Sequence, residues 1–333
     1  MPADVSLTSI PFFHPMPVST PTPELLEMNC EGPAGPHRMA WWQWGRADAS
    51  HVVVCVHGLA RQGRDFDVLA RALVEATGGA VRVVCPDIAG RGRSQWLSDP
   101  KHYVIPTYVG DMLALLAELH RRAPMATLDW VGTSMGGLIA LVLFGTPDLP
   151  LPVPLRRLVL NDVGPTVEWP SLLRIRAYLG QPVRFASEEE AAAALAIVAA
   201  PFGPHTPEQW MALTRPQLRP AEGGGFILHY DPAIALPFRA LTEEASRQGE
   251  AVLWAAYDRI QAQTLLLRGR DSDLLSTATA RAMAGRGPRA QVVEFSGVGH
   301  APTMVADDQV KVVRDFLLAA SPAGPAGAPA PAA

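Results

Sequence analysis

The chain is poor in the features that mark several common protein classes. Cysteine occurs only at Cys30, Cys55 and Cys85, too few for a disulfide framework. Cys55 and Cys85 lie inside apolar, strand-like runs, where a buried reduced thiol is the expectation. Charged residues make up 18% of the chain, and the formal net charge is −4. With no block of Lys or Arg, nucleic acid is not expected as the principal partner. No unbroken apolar run reaches the roughly 18 residues that suggest a membrane span. The N-terminus lacks a basic segment followed by an apolar one, so a cytoplasmic location is expected. No group of residues has convincing metal-ligand spacing, and neither a metal nor a cofactor is expected. What the chain does have is apolar content, 48% over 333 residues. That is enough for one large α/β core with an insertion, or for two modest domains.

Read along its length, the sequence divides into four parts. Residues 1–37 form a Pro-rich leader, with a short strand expected near Leu25–Asn29. From residue 38 to 164, apolar runs such as Val52–Val56 and Val81–Pro86 alternate with amphipathic stretches such as Phe66–Ala76 and Tyr103–His120. Continuous apolar runs fit fully buried strands, and their alternation with helices indicates a mostly parallel sheet covered on both faces. Between 165 and 259 the strand rhythm fades into helical stretches, Pro170–Leu179, Glu188–Ala200, Pro207–Leu213 and Leu236–Tyr257. This reads as a mostly helical cap inserted into the core. The rhythm resumes over 260–319, and residues 320–333 form a Pro/Ala/Gly-rich tail that is expected to be disordered.

The chemistry centres on Leu128–Gly137. A buried strand leads into a tight turn carrying Ser134, and a helix follows. Gly132 and Gly136 flank the serine two residues away on either side. A serine on a sharp strand-to-helix turn crowds those two positions, which favours residues without a Cβ. Its hydroxyl is a poor nucleophile at neutral pH, so it needs a base and a group to orient the base. His300, in Gly297–Pro302 after a late strand, is the expected base. His57 follows a strand directly, and its expected role is to shape the adjacent loop. The acid is sought after the strand ending at Arg268, where Asp271 and Asp273 both offer a carboxylate; position alone does not separate them. Main-chain amides of Met135 and Leu59 are the expected oxyanion donors. Gly90–x–Gly92 lacks the full dinucleotide-binding fingerprint and is not read as a cofactor site. Arg61, two residues beyond the oxyanion loop, is a candidate for holding a substrate carboxylate, although a structural or solvent-facing arginine is the blander reading.

Taken together, these motifs resemble the α/β-hydrolase superfamily over roughly residues 39–318. The resemblance is carried by His57–Gly58, Asp87–x–x–Gly90–x–Gly92–x–Ser94, Gly132–x–Ser134–x–Gly136–Gly137, Asn161–Asp162–x–Gly164–Pro165, Arg268–Gly269–x–x–Ser272–Asp273–x–Leu275 and Gly299–His300. It implies Ser134 as nucleophile, His300 as base, and a helical cap inserted after Asn161–Asp162. It also implies Asp273 as the acid, through the Ser–Asp pair of that pattern, with Asp271 as the alternative. A serine at the nucleophile position disfavours dehalogenase and epoxide-hydrolase chemistry, which use aspartate there. The loop His57–Gly58–Leu59 resembles capped carboxylesterases and carbon–carbon bond hydrolases more than enzymes with a His–Gly–Gly–Gly loop. The expected function is hydrolysis of a carboxylic ester on a small substrate with an apolar portion. The alternatives are carbon–carbon hydrolysis, thioester cleavage, acyl transfer, and a catalytically silent binding protein.

Overall fold

A computed structural model describes residues 22–320. The first part of the Pro-rich leader and the tail from residue 321 lie outside the described residues. Ten strands run in chain order as β1 (Glu24–Cys30), β2 (His37–Trp44), β3 (His51–Val56), β4 (Val81–Asp87), β5 (Thr127–Thr133), β6 (Leu155–Asn161), β7 (Leu218–Pro220), β8 (Phe226–Leu228), β9 (Gln263–Gly269) and β10 (Gln291–Phe295). The helices are α1 (Asp67–Ala76), α2 (Ile105–Arg122), α3 (Met135–Gly145), α4 (Trp169–Tyr178), α5 (Glu188–Val198), α6 (Pro207–Thr214), α7 (Ala235–Ala240), α8 (Glu243–Arg259), α9 (Thr277–Gly285) and α10 (Asp307–Leu318).

Eight strands form one sheet in the order β1-β2-β4-β3-β5-β6-β9-β10. The pairings β1/β2 and β2/β4 are antiparallel, and those from β4 onward are parallel. The central strands are apolar on both faces because both faces are covered. On one face, Leu69 and Leu73 of α1 meet Val313 and Leu317 of α10 in a buried cluster. On the other, Met112 and Leu115 of α2, Ile139 of α3 and Tyr257 of α8 join the larger cluster. Helix α3 is buried almost all round, and its last residue sits against α8. A Cβ added at Gly145 would lie 2.3 Å from the Ala256 carbonyl oxygen, so this glycine permits a close helix–helix approach.

The segment between β6 and β9 holds five helices, α4 to α8, and the β7–β8 hairpin. The helical run expected over Leu236–Tyr257 is two helices. The break falls at Leu241–Thr242, where the Thr242 hydroxyl caps α8 by accepting from the Ala245 amide at 3.2 Å. Because α8 packs on α3, the end of this segment belongs to the core layer.

The boundary drawn at residue 37 also cuts through the sheet. β1 lies wholly inside the expected leader and pairs with β2 from Glu24↔Gln43 to Cys30↔His37. A buried polar cluster fixes that hairpin to α2. His37 Nε2 lies 3.1 Å from an Asp111 carboxylate oxygen, and both side chains are buried. Cys30 is also buried, and burial together with Asp111 pushes its thiol up to about 12. Cys30, His37 and Asp111 place three ligand-type atoms within 4.8 Å of one another. All three cysteines are free thiols.

The hydrogen bond that its ring donates to Asp111 raises the His37 pKa above its ordinary 6.5, against an opposing contribution from burial. The folded state thus holds this proton more tightly than the unfolded chain. The resulting stability is fully present below the unfolded histidine pKa and is lost as pH rises through the folded value. Asp111→Asn is expected to cost about 3 kcal/mol at pH 6, the scale for breaking a buried pair from one side. The difference from wild type should shrink toward pH 9. Urea midpoints measured across that range check both the loss and its sign.

Candidate active site

The site begins where β5 turns into α3. Ser134 has φ 51° and ψ −116°, a conformation that costs a non-glycine residue about 1–3 kcal/mol and persists only where its surroundings enforce it. The enforcement is local crowding. A Cβ on Gly136 would come within 2.1 Å of the Val56 carbonyl oxygen, and one on Gly132 within 2.5 Å of the Gly136 carbonyl oxygen. Only glycines let the end of β3, the turn and the first turn of α3 come this close together. The Ser134 amide donates to the Asn161 carbonyl at 3.0 Å, which ties the turn to β6. Asn161 Nδ2 donates in turn to Thr133 Oγ1 and to the Pro302 carbonyl, joining the elbow to the loop that bears His300.

His300 lies where the sequence indicates. Its Nε2 is 2.9 Å from Ser134 Oγ. Its other ring nitrogen, however, does not meet the expected acid. Nδ1 is 2.8 Å from Oδ2 of Asp162, the residue just past β6, whose side chain is fully buried. Asp273 points elsewhere. It is half-exposed and takes both its bonds from Arg174, at 2.8 and 2.9 Å. Asp271 is exposed as well. The assignment of Asp273, with Asp271 as its alternative, as the partner of His300 is therefore corrected to Asp162. The physical reason lies in the loop after β9. There Ser272 Oγ donates to Asp162 Oδ2 at 2.6 Å, and the Gly269 amide donates to Asp162 Oδ1 at 2.9 Å. The loop supplies donors to a carboxylate from the neighbouring strand and turns its own carboxylate outward. A signal for Asp162 stood in the sequence, since Asn161–Asp162 follows an apolar strand immediately.

Of the two expected oxyanion donors, Met135 follows Ser134 directly and Leu59 lines the same cavity as Ser134. The Met135 amide belongs to the first turn of α3, where main-chain donors have no partner inside the helix. Leu59 belongs to a turn held over Ser134, and a Cβ added at Gly58 would stand 3.7 Å from the Ser134 Cβ. His57 sets the orientation of this turn. Its Nδ1–H donates to the Gly58 carbonyl at 2.7 Å, and its Nε2 accepts from the Ile88 amide at 3.0 Å. The Gly58–Leu59 peptide is planar and trans, so its N–H points opposite to its C=O. Holding the Gly58 carbonyl against His57 therefore turns the Leu59 amide to the side away from that ring. Burial lowers the His57 pKa to about 3. The ring is therefore neutral near pH 7 and can donate from one nitrogen while accepting at the other. This matches the loop-shaping role read from its position.

Beside Ser134 lies a cavity of about 310 Å³, bordered by the loop after β3 and by Ile175, Leu179, Phe185, Leu195 and Leu228 of the inserted segment. Arg61 also lines it, but its guanidinium is already engaged, donating to both oxygens of Asp65 at 2.6 and 2.8 Å. A substrate carboxylate would therefore meet a guanidinium whose charge Asp65 already balances. The five apolar residues come from α4, α5, β8 and the loop between them, so the insertion sets most of the shape. Among the described residues, no helix is long and apolar enough to cross a membrane.

Known proteins share this arrangement of elements. Residues 53–315 match the model of the alpha/beta hydrolase family. The chain is 47% identical over 302 residues to a 3-hydroxybutyrate-oligomer hydrolase of Cupriavidus necator, covering 90% of this chain and 99% of the relative. An alpha/beta hydrolase from Novosphingobium aromaticivorans superposes with a TM-score of 0.74 at 30% identity, over 89% of this chain and 99% of that one. An esterase from Mycobacterium tuberculosis has the same fold, with a TM-score of 0.62 at 22% identity over 90% and 92% of the two chains. The eight-stranded sheet, the serine on its glycine-flanked turn and these likenesses agree: the chain belongs to the alpha/beta hydrolase family.

Proposed function

We propose that the protein hydrolyses short ester-linked oligomers of 3-hydroxy acids, with 3-hydroxybutyrate oligomers foremost, through an acyl-enzyme on Ser134. The observation that carries this reading is the unbroken hydrogen-bonded series Ser134–His300–Asp162 at the edge of an apolar cavity. The substrate class rests on the likeness to the Cupriavidus relative. A 3-hydroxybutyrate repeat presents a methyl-branched, weakly polar chain, which suits the aliphatic and aromatic lining. Within the segment 165–259, the part ahead of α8 acts as the cap that shapes this lining.

In the proposed reaction, Ser134 Oγ forms a bond to the ester carbonyl carbon while His300 Nε2 takes its proton. Asp162, held by Gly269 and Ser272, keeps Nδ1–H toward itself and stabilises the imidazolium. The Leu59 and Met135 amides receive the oxyanion. The tetrahedral adduct collapses as His300 protonates the departing alkoxide, which leaves as the hydroxyl end of one fragment. Water then attacks the acyl-enzyme, giving one proton to His300 and its oxygen to the acyl carbon. The proton returns to Ser134, and a free acid is released.

Two measurements test this reading. Asp162→Asn is expected to lower kcat by about 10³–10⁴-fold, as losing the carboxylate behind a catalytic histidine does. Asp273→Asn removes only an exposed ion pair and is expected to change kcat less than about threefold. The reverse ranking would return the acid to the loop after β9. The second measurement incubates the protein, beside Ser134→Ala, with 3-hydroxybutyrate dimer and trimer and with p-nitrophenyl butyrate, and quantifies products by chromatography. Serine-dependent release of 3-hydroxybutyrate is expected. Turnover of the nitrophenyl ester alone would reject the oligomer substrate, and no serine-dependent turnover of any ester would reject the mechanism.

A further inference from the structure

Arg91 lies in the turn between β4 and α2, within Gly90–Arg91–Gly92. Its side chain is fully buried, with no exposed surface. A buried guanidinium ordinarily faces a carboxylate, because taking a charge out of water is costly unless the charge is paired. Every acceptor that Arg91 reaches is neutral. Nε donates to the Leu59 carbonyl at 2.9 Å, and Nη1 donates to the Ala89 carbonyl at 2.7 Å and to Tyr108 Oη at 2.9 Å. Nη2 points at Met135 Sδ, 3.6 Å away. The rings of Tyr108 and Tyr103 flank the charge at 5.0 and 5.7 Å.

Two of these partners are the residues whose amides would receive the oxyanion. The fork grips the main chain of Leu59 from behind and touches the side chain of Met135. His57 and Arg91 thus hold successive carbonyls, those of Gly58 and Leu59, from the inner side of the same turn. The cation lies in a water-excluded region, and its fork ends on the main chain of Leu59 and the side chain of Met135, the two residues whose amides would face the developing negative charge. A fixed charge in such a region interacts far more strongly than one at the surface, and it needs no reorganisation when the reaction occurs.

We propose that Arg91 is a positioning residue of the oxyanion site, and that its unpaired buried charge stabilises the anionic tetrahedral intermediate from behind the Leu59 and Met135 amides. This rests on the reading of Ser134 as an acyl-forming nucleophile. The ground-state ester carries no charge at its carbonyl, so the contribution falls on the reacting state. Its signature is a fall in kcat with little change in KM.

The test compares wild type with Arg91→Met, Arg91→Gln and Arg91→Lys, using p-nitrophenyl butyrate for kinetics and butylboronic acid as the probe. The boronic acid adds to a reactive serine as a tetrahedral anion, so its inhibition constant reports on the same charge. The neutral variants, checked for folding by circular dichroism, are expected to lose about 100-fold in kcat, the scale of a lost oxyanion donor. KM should stay within about threefold, and boronate affinity should fall in parallel with kcat. Arg91→Lys keeps the charge but loses the fork, so it should lie between wild type and the neutral variants in both readouts. A folded neutral variant with kcat and boronate affinity within about threefold of wild type would overturn the proposal. If neither neutral variant folds, Arg91→Lys decides: a fall in kcat with unchanged boronate affinity, or no fall in either, counts against it. A wild type that neither hydrolyses the ester nor binds the boronate through Ser134 overturns the underlying mechanism, an outcome distinct from those of the Arg91 variants.

Discussion

The strained backbone at Ser134 is the constraint on which the rest of the site depends. A residue at φ 51° and ψ −116° relaxes unless its neighbours deny it room. Here the denial comes from main-chain crowding between the end of β3, the turn and α3, which glycines at 132 and 136 make sterically feasible. The same crowding brings the loop after β3 against the serine, so one packing arrangement fixes Ser134 and the proposed oxyanion donors together. The stability for this comes from the buried central sheet and the helix layers on either side of it. The fold stores the strain where the hydroxyl must project.

Behind the loop is a layer of buried polar groups joined by hydrogen bonds. His57 links Gly58 to Ile88, and Arg91 links Leu59 to Ala89 and Tyr108. Asp87 accepts from the Gly63 and Arg93 amides, and burial raises its carboxyl to about 6. These groups connect the loops after β3 and β4, which emerge at the same edge of the sheet. Fully partnered buried polar networks favour a single geometry because any alternative leaves a group unsatisfied. An oxyanion site needs that kind of rigidity, since its donors must already face the reacting atom.

Much of this was legible before the structure, and for identifiable reasons. The central strands announce themselves as unbroken apolar runs, and the elbow by the steric logic of Gly132 and Gly136. His300 follows from its place after the last strand, and the structure puts it on Ser134. The strand near Leu25–Asn29 was legible, but its place in the main sheet was not, because its residues are mostly exposed or half-buried and Pro-rich sequence precedes it. The buried Cys30–His37–Asp111 cluster that anchors it joins positions far apart in the chain, which no local pattern reveals. Arg91 was hidden for a similar reason. Its partners lie on α3, on α2 and in the loop after β3, and the glycines beside it draw attention first.

The placement of Asp162, the proposed acid, has a simple geometric origin in the sheet. Thr133 of β5 pairs with Asn161 of β6, and Asn161 pairs with Leu267 of β9, so the three strands end nearly level. A carboxylate just beyond β6 and one in the loop beyond β9 can therefore approach the same point above the sheet. A histidine on the loop after β10 meets whichever of them is held in place. Here the Asp162 amide bonds to the Leu267 carbonyl, and Gly269 and Ser272 donate to its side chain. That leaves no donors to hold Asp273 inward, and Arg174 of the inserted segment draws it to the surface. The Ser–Asp pair that made the later loop look like the source of the acid thus has a divided role. Its serine braces the carboxylate of the neighbouring strand, while its aspartate ties that loop to α4.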